Sequence, residues 1–434
     1  MEFYFIKYFF IIIILLKIRC NLIVLPIQIK EITEKNNQNF IYTSFYMGEP
    51  QQKIEAEINF QNSSFFMSSK YSNSINSTYN LSSSQTFSII SNNISMDSLE
   101  EGYIAEDNFY FYSDLYCQTT KKYDSIPVIF PQTENRTLSP KIGLQIENKN
   151  KSLNFINILK YKNITSNYYW TIKFSNLNEG LIIIGDLPHI YDSKNYQKNK
   201  LEFTNTHSIK NKLYWGINIP SIKINRLTIS DNMIGKIEPK ILEIFGSYEY
   251  ITYIEKIYFQ NYYDKQICRR IWDIIEGIDV FRFVCEKDKF NKSDISEFPP
   301  LTLVNIDLNY SFEFTGEELF QEKDEKIIFQ VVAKSGRTDG EWVLGRIFLL
   351  KYQIIFDNEN NLVGIYKLIE ENIEKQNNKN KRNLYILLII ILIILLLFLI
   401  TVFIYMIYNK RGICKNRKKR ISELDDEFVY IPKE

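Results

Sequence analysis

The side chains able to do chemistry are unevenly stocked in this chain of 434 residues. Histidine occurs only at His189 and His207, and neither has a second ligand at metal spacing. This argues against zinc hydrolases and against catalytic groups that pass protons through imidazole. No metal site and no cofactor is expected. Acidic side chains are plentiful by contrast, 51 Asp and Glu in all. Two carboxylates held close together cannot both ionise, so they share one proton and titrate as a pair. The ionised member takes a proton from water, and the protonated member donates to a developing oxyanion.

The elements available to position such a pair are short strands. Leu181–Ile184, Ile217–Ile219, Ile222–Ile224 and Lys326–Val332 are apolar or alternate apolar with polar residues, the pattern of strands that line a core. Polar clusters at 62–64, 72–77 and 148–150 punctuate them as turns. Helices are expected only at Leu153–Tyr161, Tyr250–Tyr258 and Cys268–Glu276. The length suits two lobes of a mostly-β protein. A net charge of +1 gives no reason to expect a nucleic-acid partner.

Two apolar segments bracket this region. Tyr8–Leu16, between Lys7 and Lys17, fits a signal-peptide core, so 1–20 is expected to be a signal peptide. Leu384–Tyr408 holds about 25 residues without a charge, enough to cross a ~30 Å hydrocarbon core as a single transmembrane helix. Lys410, Arg411, Lys415, Arg417, Lys418, Lys419 and Arg420 follow it, which places the tail 409–434 in the cytosol. The polar stretch 370–383 reads as a stalk. The expected protein is a type I membrane protein of the secretory pathway or cell surface, with its ectodomain lumenal or extracellular. Sequons at Asn62, Asn76, Asn80, Asn93, Asn135, Asn150, Asn163, Asn291 and Asn309 all precede the apolar segment and agree with that topology. In an oxidising compartment Cys268 and Cys285, the one pair close in sequence there, are expected to form a disulfide.

Several motifs recur in a telling order. Gly48-Glu49-Pro50-Gln51-Gln52 precedes an alternating strand (Ile54, Ala56, Ile58) that ends in Asn59-Phe60-Gln61-Asn62-Ser63-Ser64. Lys141-Ile142-Gly143-Leu144, Gly180–Asp186 and Tyr214-Trp215-Gly216-Ile217 follow. The last block is Trp342-Val343-Leu344-Gly345-Arg346-Ile347-Phe348-Leu349, continuing through Tyr352, Phe356-Asp357 and Gly364. Over about residues 40–369 this series resembles the pepsin-like aspartic proteases. The resemblance implies a bilobal β fold, with lobes at 40–190 and 191–369, and a cleft holding the carboxylate dyad.

It also implies that the dyad is damaged. Asn59 stands at the first catalytic Asp, and aligning Ile241–Ser247 with the second catalytic loop puts Glu243 at the other. Phe60 and Ile244 replace the Thr that follows each Asp, and Gln61 and Phe245 replace the Gly. Arg346 takes the place of an acid. An amide positions water but cannot accept its proton, and loss of general-base catalysis alone removes ~10²–10⁴ in rate. Phe60, Ser91 (near the flap), Phe245 and Ser247 are the expected substrate-contacting positions. The expected function is that of a membrane-anchored pepsin-like endopeptidase homologue, catalytically inactive, whose cleft still pairs with an extended peptide or protein ligand. An active endopeptidase with a divergent dyad and a structural or adhesive ectodomain are the alternatives. An open cleft lined by apolar pockets favours peptide binding; one filled by Phe60, Phe245 and Gln61 favours a scaffold.

Overall fold

The computed structural model describes residues 22–32, 38–67, 79–95, 101–131, 139–146, 154–209, 212–334, 341–367, 389–402 and 405. The chain divides into two units, 1–367 and 368–434. In the second unit, residues 389–402 are helical. Among the described residues no helix is long and apolar enough to cross a membrane. The flanks of the expected span, the signal peptide, the stalk and the tail lie outside the described residues.

The first unit is mostly β and bilobal, built on a 13-stranded and an 11-stranded sheet. The first sheet starts upstream of residue 40. Ile23–Ile32 pairs on one side with Glu179–Ile184 and on the other with Gln38–Met47. Its side chains explain this central place: Ile23, Leu25 and Ile27 enter the main core, while Leu22 and Val24 pack with Ile183 on the opposite face. The same sheet takes in Leu201–Asn205, Ile354–Asp357 and Leu362–Tyr366 from the second half of the chain. The C-terminal motif block thus closes onto the first sheet. Trp170 stacks on Phe356 at 4.0 Å, and the Trp215 indole N–H donates to the Leu144 carbonyl at 2.7 Å.

Two of the expected helices form. Phe155–Tyr161 is capped by Asn154, whose side-chain oxygen accepts from the amides of Ile156 and Asn157. Tyr248–Ile254 starts at Ser247 and runs on through a π-helical turn, Glu255–Phe259, to Gln260–Asp264. The third does not: Cys268–Ile275 is a strand, paired along its length with Ile278–Glu286. Ile275 lies opposite Ile278, which leaves a two-residue turn in which Glu276 (φ 51°) and Gly277 (φ 74°) are both left-handed. That is the turn whose twist matches a hairpin, and it overrides the apolar spacing that suggests a helix. The strand expected at Lys326–Val332 is interrupted at Gln330, and the two expected at 217–224 merge into Gly216–Ile224, with an irregular register around Pro220, which has no N–H to donate.

Candidate functional site

Each sheet builds one catalytic-type loop, and the two loops superimpose in topology. In the first, strand Gln52–Asn59 runs parallel to Lys141–Gly143, with Asn59 opposite Gly143. Phe65–Phe66 then returns antiparallel to Lys141–Gly143 and parallel to Thr120–Pro131. In the second, Leu227–Ile237 runs parallel to Glu341–Leu344, with Ile237 opposite Leu344. Ile244–Phe245 returns antiparallel to Glu341–Leu344 and parallel to Val331–Lys334. Both loops pass so close to a glycine that no other residue fits. A Cβ on Gly143 would lie 2.5 Å from the Asn62 carbonyl oxygen, and one on Gly345 would lie 2.6 Å from that of Ile241.

This register corrects the second site. Ile237 faces Leu344 and the Glu238 amide donates to the Leu344 carbonyl at 3.1 Å, so Glu238 is the residue that reaches Gly345 as Asn59 reaches Gly143. Asn59 precedes Phe65 by the same interval that separates Glu238 from Ile244. Glu243 therefore corresponds to Ser64, and Glu238 to Asn59. The residues after the two positions are Phe60 and Pro239 where the resemblance implies Thr, and Gln61 and Lys240 where it implies Gly.

Gln61 closes the gap. Its amide nitrogen donates to a Glu238 carboxylate oxygen at 3.1 Å, and its backbone N–H donates to the Asn59 side-chain oxygen at 2.8 Å. The same Glu238 oxygen accepts an ion pair from Lys236 at 3.1 Å. Glu238 is only 2% exposed, and its other oxygen has no hydrogen-bond partner among the described residues. On the opposite wall the Asn59 amide donates to Glu57, which Lys141 neutralises at 3.3 Å. Lys240 pairs with Glu276 at the hairpin tip (3.0 Å), and Glu276 accepts the backbone N–H of Asn39 at 2.7 Å. Glu57, Asn59, Gln61, Glu238, Lys240 and Glu276 line a cavity of only about 80 Å³. Burial, with Glu57 and Glu55 nearby, pushes the Tyr42 phenol beside this wall up to about 12, so it stays protonated. One amide and one ion-paired carboxylate cannot share a proton as a dyad does.

Of the four expected substrate contacts, Phe60 alone lines this cavity, and its ring lies 6.0 Å from Trp170 in the core. Ser91 is exposed on the outermost strand of the first sheet, opposite Ile104. Phe245 is buried in a small cluster with Ile275, Val280 and Val332. Ser247 is fully buried and caps a helix, accepting from the Tyr250 amide. Glu243 is also buried, but against Arg282, whose guanidinium holds it at 2.9 Å and Asp273 at 3.1 Å. Arg346 is buried and donates to the Lys240 carbonyl, bracing the loop after Glu238. Glu238, Lys240 and Glu276 are the site residues the sequence reading missed; counting from Gly345 through the return strand finds the first two.

The Cys268–Cys285 disulfide forms directly across the hairpin, with both residues buried. Cys117 is a free thiol, raised by burial. Among the sequons, Asn80, Asn163, Asn291 and Asn309 are exposed and Asn62 is half-buried, with its oxygen taking the Ser64 amide at 2.7 Å. Asn76, Asn135, Asn150 and the side chain of Asn93 lie outside the described residues.

Three solved structures share this architecture. Soybean basic 7S globulin is 15% identical, covering 81% of this chain and 98% of its own, at a TM-score of 0.53. Conglutin gamma, a basic 7S globulin from lupine seeds, is 13% identical over 80% and 95%, at 0.54. The structure of edgp is 13% identical over 80% and 95%, at 0.55. The fold is pepsin-like. Identities this low carry the fold and nothing further. No family model matches the chain, and no curated protein does.

Proposed function

We propose that this protein is a catalytically inactive pepsin-like ectodomain, anchored in a membrane, whose narrow cleft floor at Phe60 and Gln61 favours a structural or adhesive role over peptide binding. The observation that carries the reading is the Gln61–Glu238 hydrogen bond beside Asn59. An attacking water would have to lie between two carboxylates at this place. Here an amide stands at one position, and the carboxylate at the other is tied to the Gln61 side chain and to Lys236. The apolar segment 384–408 with its basic flank supports single-span anchoring, and the exposed sequons support a glycosylated, lumenal or extracellular ectodomain.

Purified protein incubated with a fluorogenic peptide library from pH 3 to 7 is expected to show no pepstatin-sensitive cleavage. Robust pepstatin-sensitive cleavage overturns the inactive reading and favours an unusual working dyad. Resistance to carbonate extraction, together with protease digestion of the tail alone in sealed microsomes, tests the anchoring separately.

A further inference from the structure

Beside the Asn59–Glu238 cavity, with which the larger shares Asn39, two neighbouring cavities of about 490 Å³ and about 330 Å³ share Leu177, Gln321 and Gln330 in their walls. They form one space with two characters. The smaller chamber is apolar, walled by Phe314, Phe320, Ile347 and Leu350, with the Lys351–Glu318 ion pair at its edge. The larger is polar, and four carboxamides line it: Asn39, Asn178, Gln321 and Gln330. The side chains of Asn39, Asn178 and Gln321 have no protein hydrogen-bond partner among the described residues. Gln330 is 2% exposed; its nitrogen is satisfied by the Ile328 carbonyl, and its oxygen has no partner.

We infer that this space is a binding site for an uncharged amphipathic small molecule: a polyhydroxylated head carrying an apolar body, as in an alkyl or aryl glycoside. A carboxamide offers one donor side and one acceptor side, which matches hydroxyl groups that must both give and take. Three cations line the polar chamber: Arg346 is buried and donates to the Lys240 carbonyl, Lys323 is exposed at the rim, and Arg282 faces the space. Arg282 is already held by Glu243 and Asp273, so an ionic head would have to compete with a formed ion pair. The apolar chamber would take the body, and each cavity falls within the range typical of small-molecule sites. Leu177, at the tip of the hairpin joining Tyr169–Phe174 to Glu179–Ile184, stands where head and body would meet. The inference does not depend on whether the Asn59–Glu238 site is active.

The test uses the full chain in lipid nanodiscs and three probes, followed by isothermal titration and saturation-transfer NMR: phenyl β-glucoside, methyl β-glucoside (head alone) and 3-phenylpropionate (same body, anionic head). Phenyl β-glucoside is expected to bind saturably and at least about tenfold more tightly than either comparator, a factor within reach of one or two hydrogen bonds plus the buried ring. Leu177→Arg and Gln321→Ala are each expected to weaken it by about tenfold or more, with Asn59→Ala leaving it unchanged. Gln321 is a partly exposed surface residue, so its variant remains informative if Leu177→Arg fails to fold. Absence of saturable binding overturns the inference. So does equal binding of phenylpropionate, or binding indifferent to Gln321→Ala.

Discussion

At the scale of single residues, the cleft floor is governed by what replaced two glycines. Gln61 and Lys240 stand where the resemblance implies glycine, and each long side chain finds a carboxylate partner: Glu238 for one, Glu276 for the other. Restoring the acids alone is therefore not enough. The double variant Asn59→Asp, Glu238→Asp is expected to show no cleavage above background in an acid fluorogenic assay. Adding Gln61→Gly and Lys240→Gly is expected to give the first detectable turnover, because misplacement by ~1 Å already costs about 10² in rate. Cleavage by the double variant alone would show that Gln61 is no obstacle. Glu243 has a structural role. Glu243→Ala strands Arg282 beside the half-exposed Asp273, and breaking a buried pair costs ~3–5 kcal/mol. Its melting temperature is expected to fall well below that of Glu238→Gln, and calorimetry of the two variants compares them directly. Asn59 was legible because Gly48-Glu49-Pro50 and the alternating strand fix its register. Glu238 was not. It is followed by Pro239 and Lys240 in place of the expected Thr-Gly, while the apolar pair Ile241-Leu242 before Glu243 imitates the end of a catalytic strand.

At the scale of elements, local spacing misled where turn chemistry decides. Cys268–Ile275 has apolar residues at intervals that a helix tolerates, yet Gly277 two residues later makes a two-residue hairpin turn available. Once paired, Cys268 and Cys285 come face to face, and the expected disulfide becomes part of the hairpin's own register. Cys268→Ser with Cys285→Ser is expected to cost ~3 kcal/mol, the chain-entropy value for a loop of this size. Chemical denaturation reads this as a lowered midpoint, and an unchanged midpoint would reject the estimate. The loop from Ser113 to Thr119 has a pH signature of its own. The Thr119 hydroxyl, together with the amides of Thr119, Gln118 and Tyr116, holds the Asp114 carboxyl down at about 2. A depressed carboxylate contributes order that is complete above its unfolded value near 4 and is lost as pH falls through about 2. Amide exchange at Gln118 and Thr119 is expected to lose protection in that window, in excess of the intrinsic pH trend, and Asp114→Asn is expected to abolish the excess.

At the scale of the whole molecule, the two lobes are joined more closely than their separate sheets require. The C-terminal strands complete the first sheet, so the first lobe is not a continuous piece of chain, whereas the strands of the second sheet follow one another from Gly216 to Leu344. The early strand Ile23–Ile32 and the late return both fall outside the boundaries 40–190 expected from the motifs. Motif order reveals which loops face each other; it carries no signal for strands whose partners are hundreds of residues away. Across the cleft, two contacts join the loops: Gln61 to Glu238, and the hairpin-tip Glu276 to the backbone of Asn39. Both pass between the lobes at the floor where a pepsin-like cleft would otherwise be free to flex. Each is a hydrogen bond to a carboxylate, of the charge-assisted kind that contributes ~1.5–3 kcal/mol. Removing them together, with Gln61→Gly and Glu276→Gly, is expected to loosen the floor without unfolding either sheet. Hydrogen exchange followed by mass spectrometry is expected to show peptides covering Gln38–Ile41 and Asn59–Gln61 exchanging at least about tenfold faster, the factor set by the lower end of that range. Peptides from the core strand Glu179–Ile184 are expected to keep their protection. If the cleft peptides exchange at the wild-type rate, the lobes are held by their shared sheet alone, and these two contacts are incidental to how the cleft is closed.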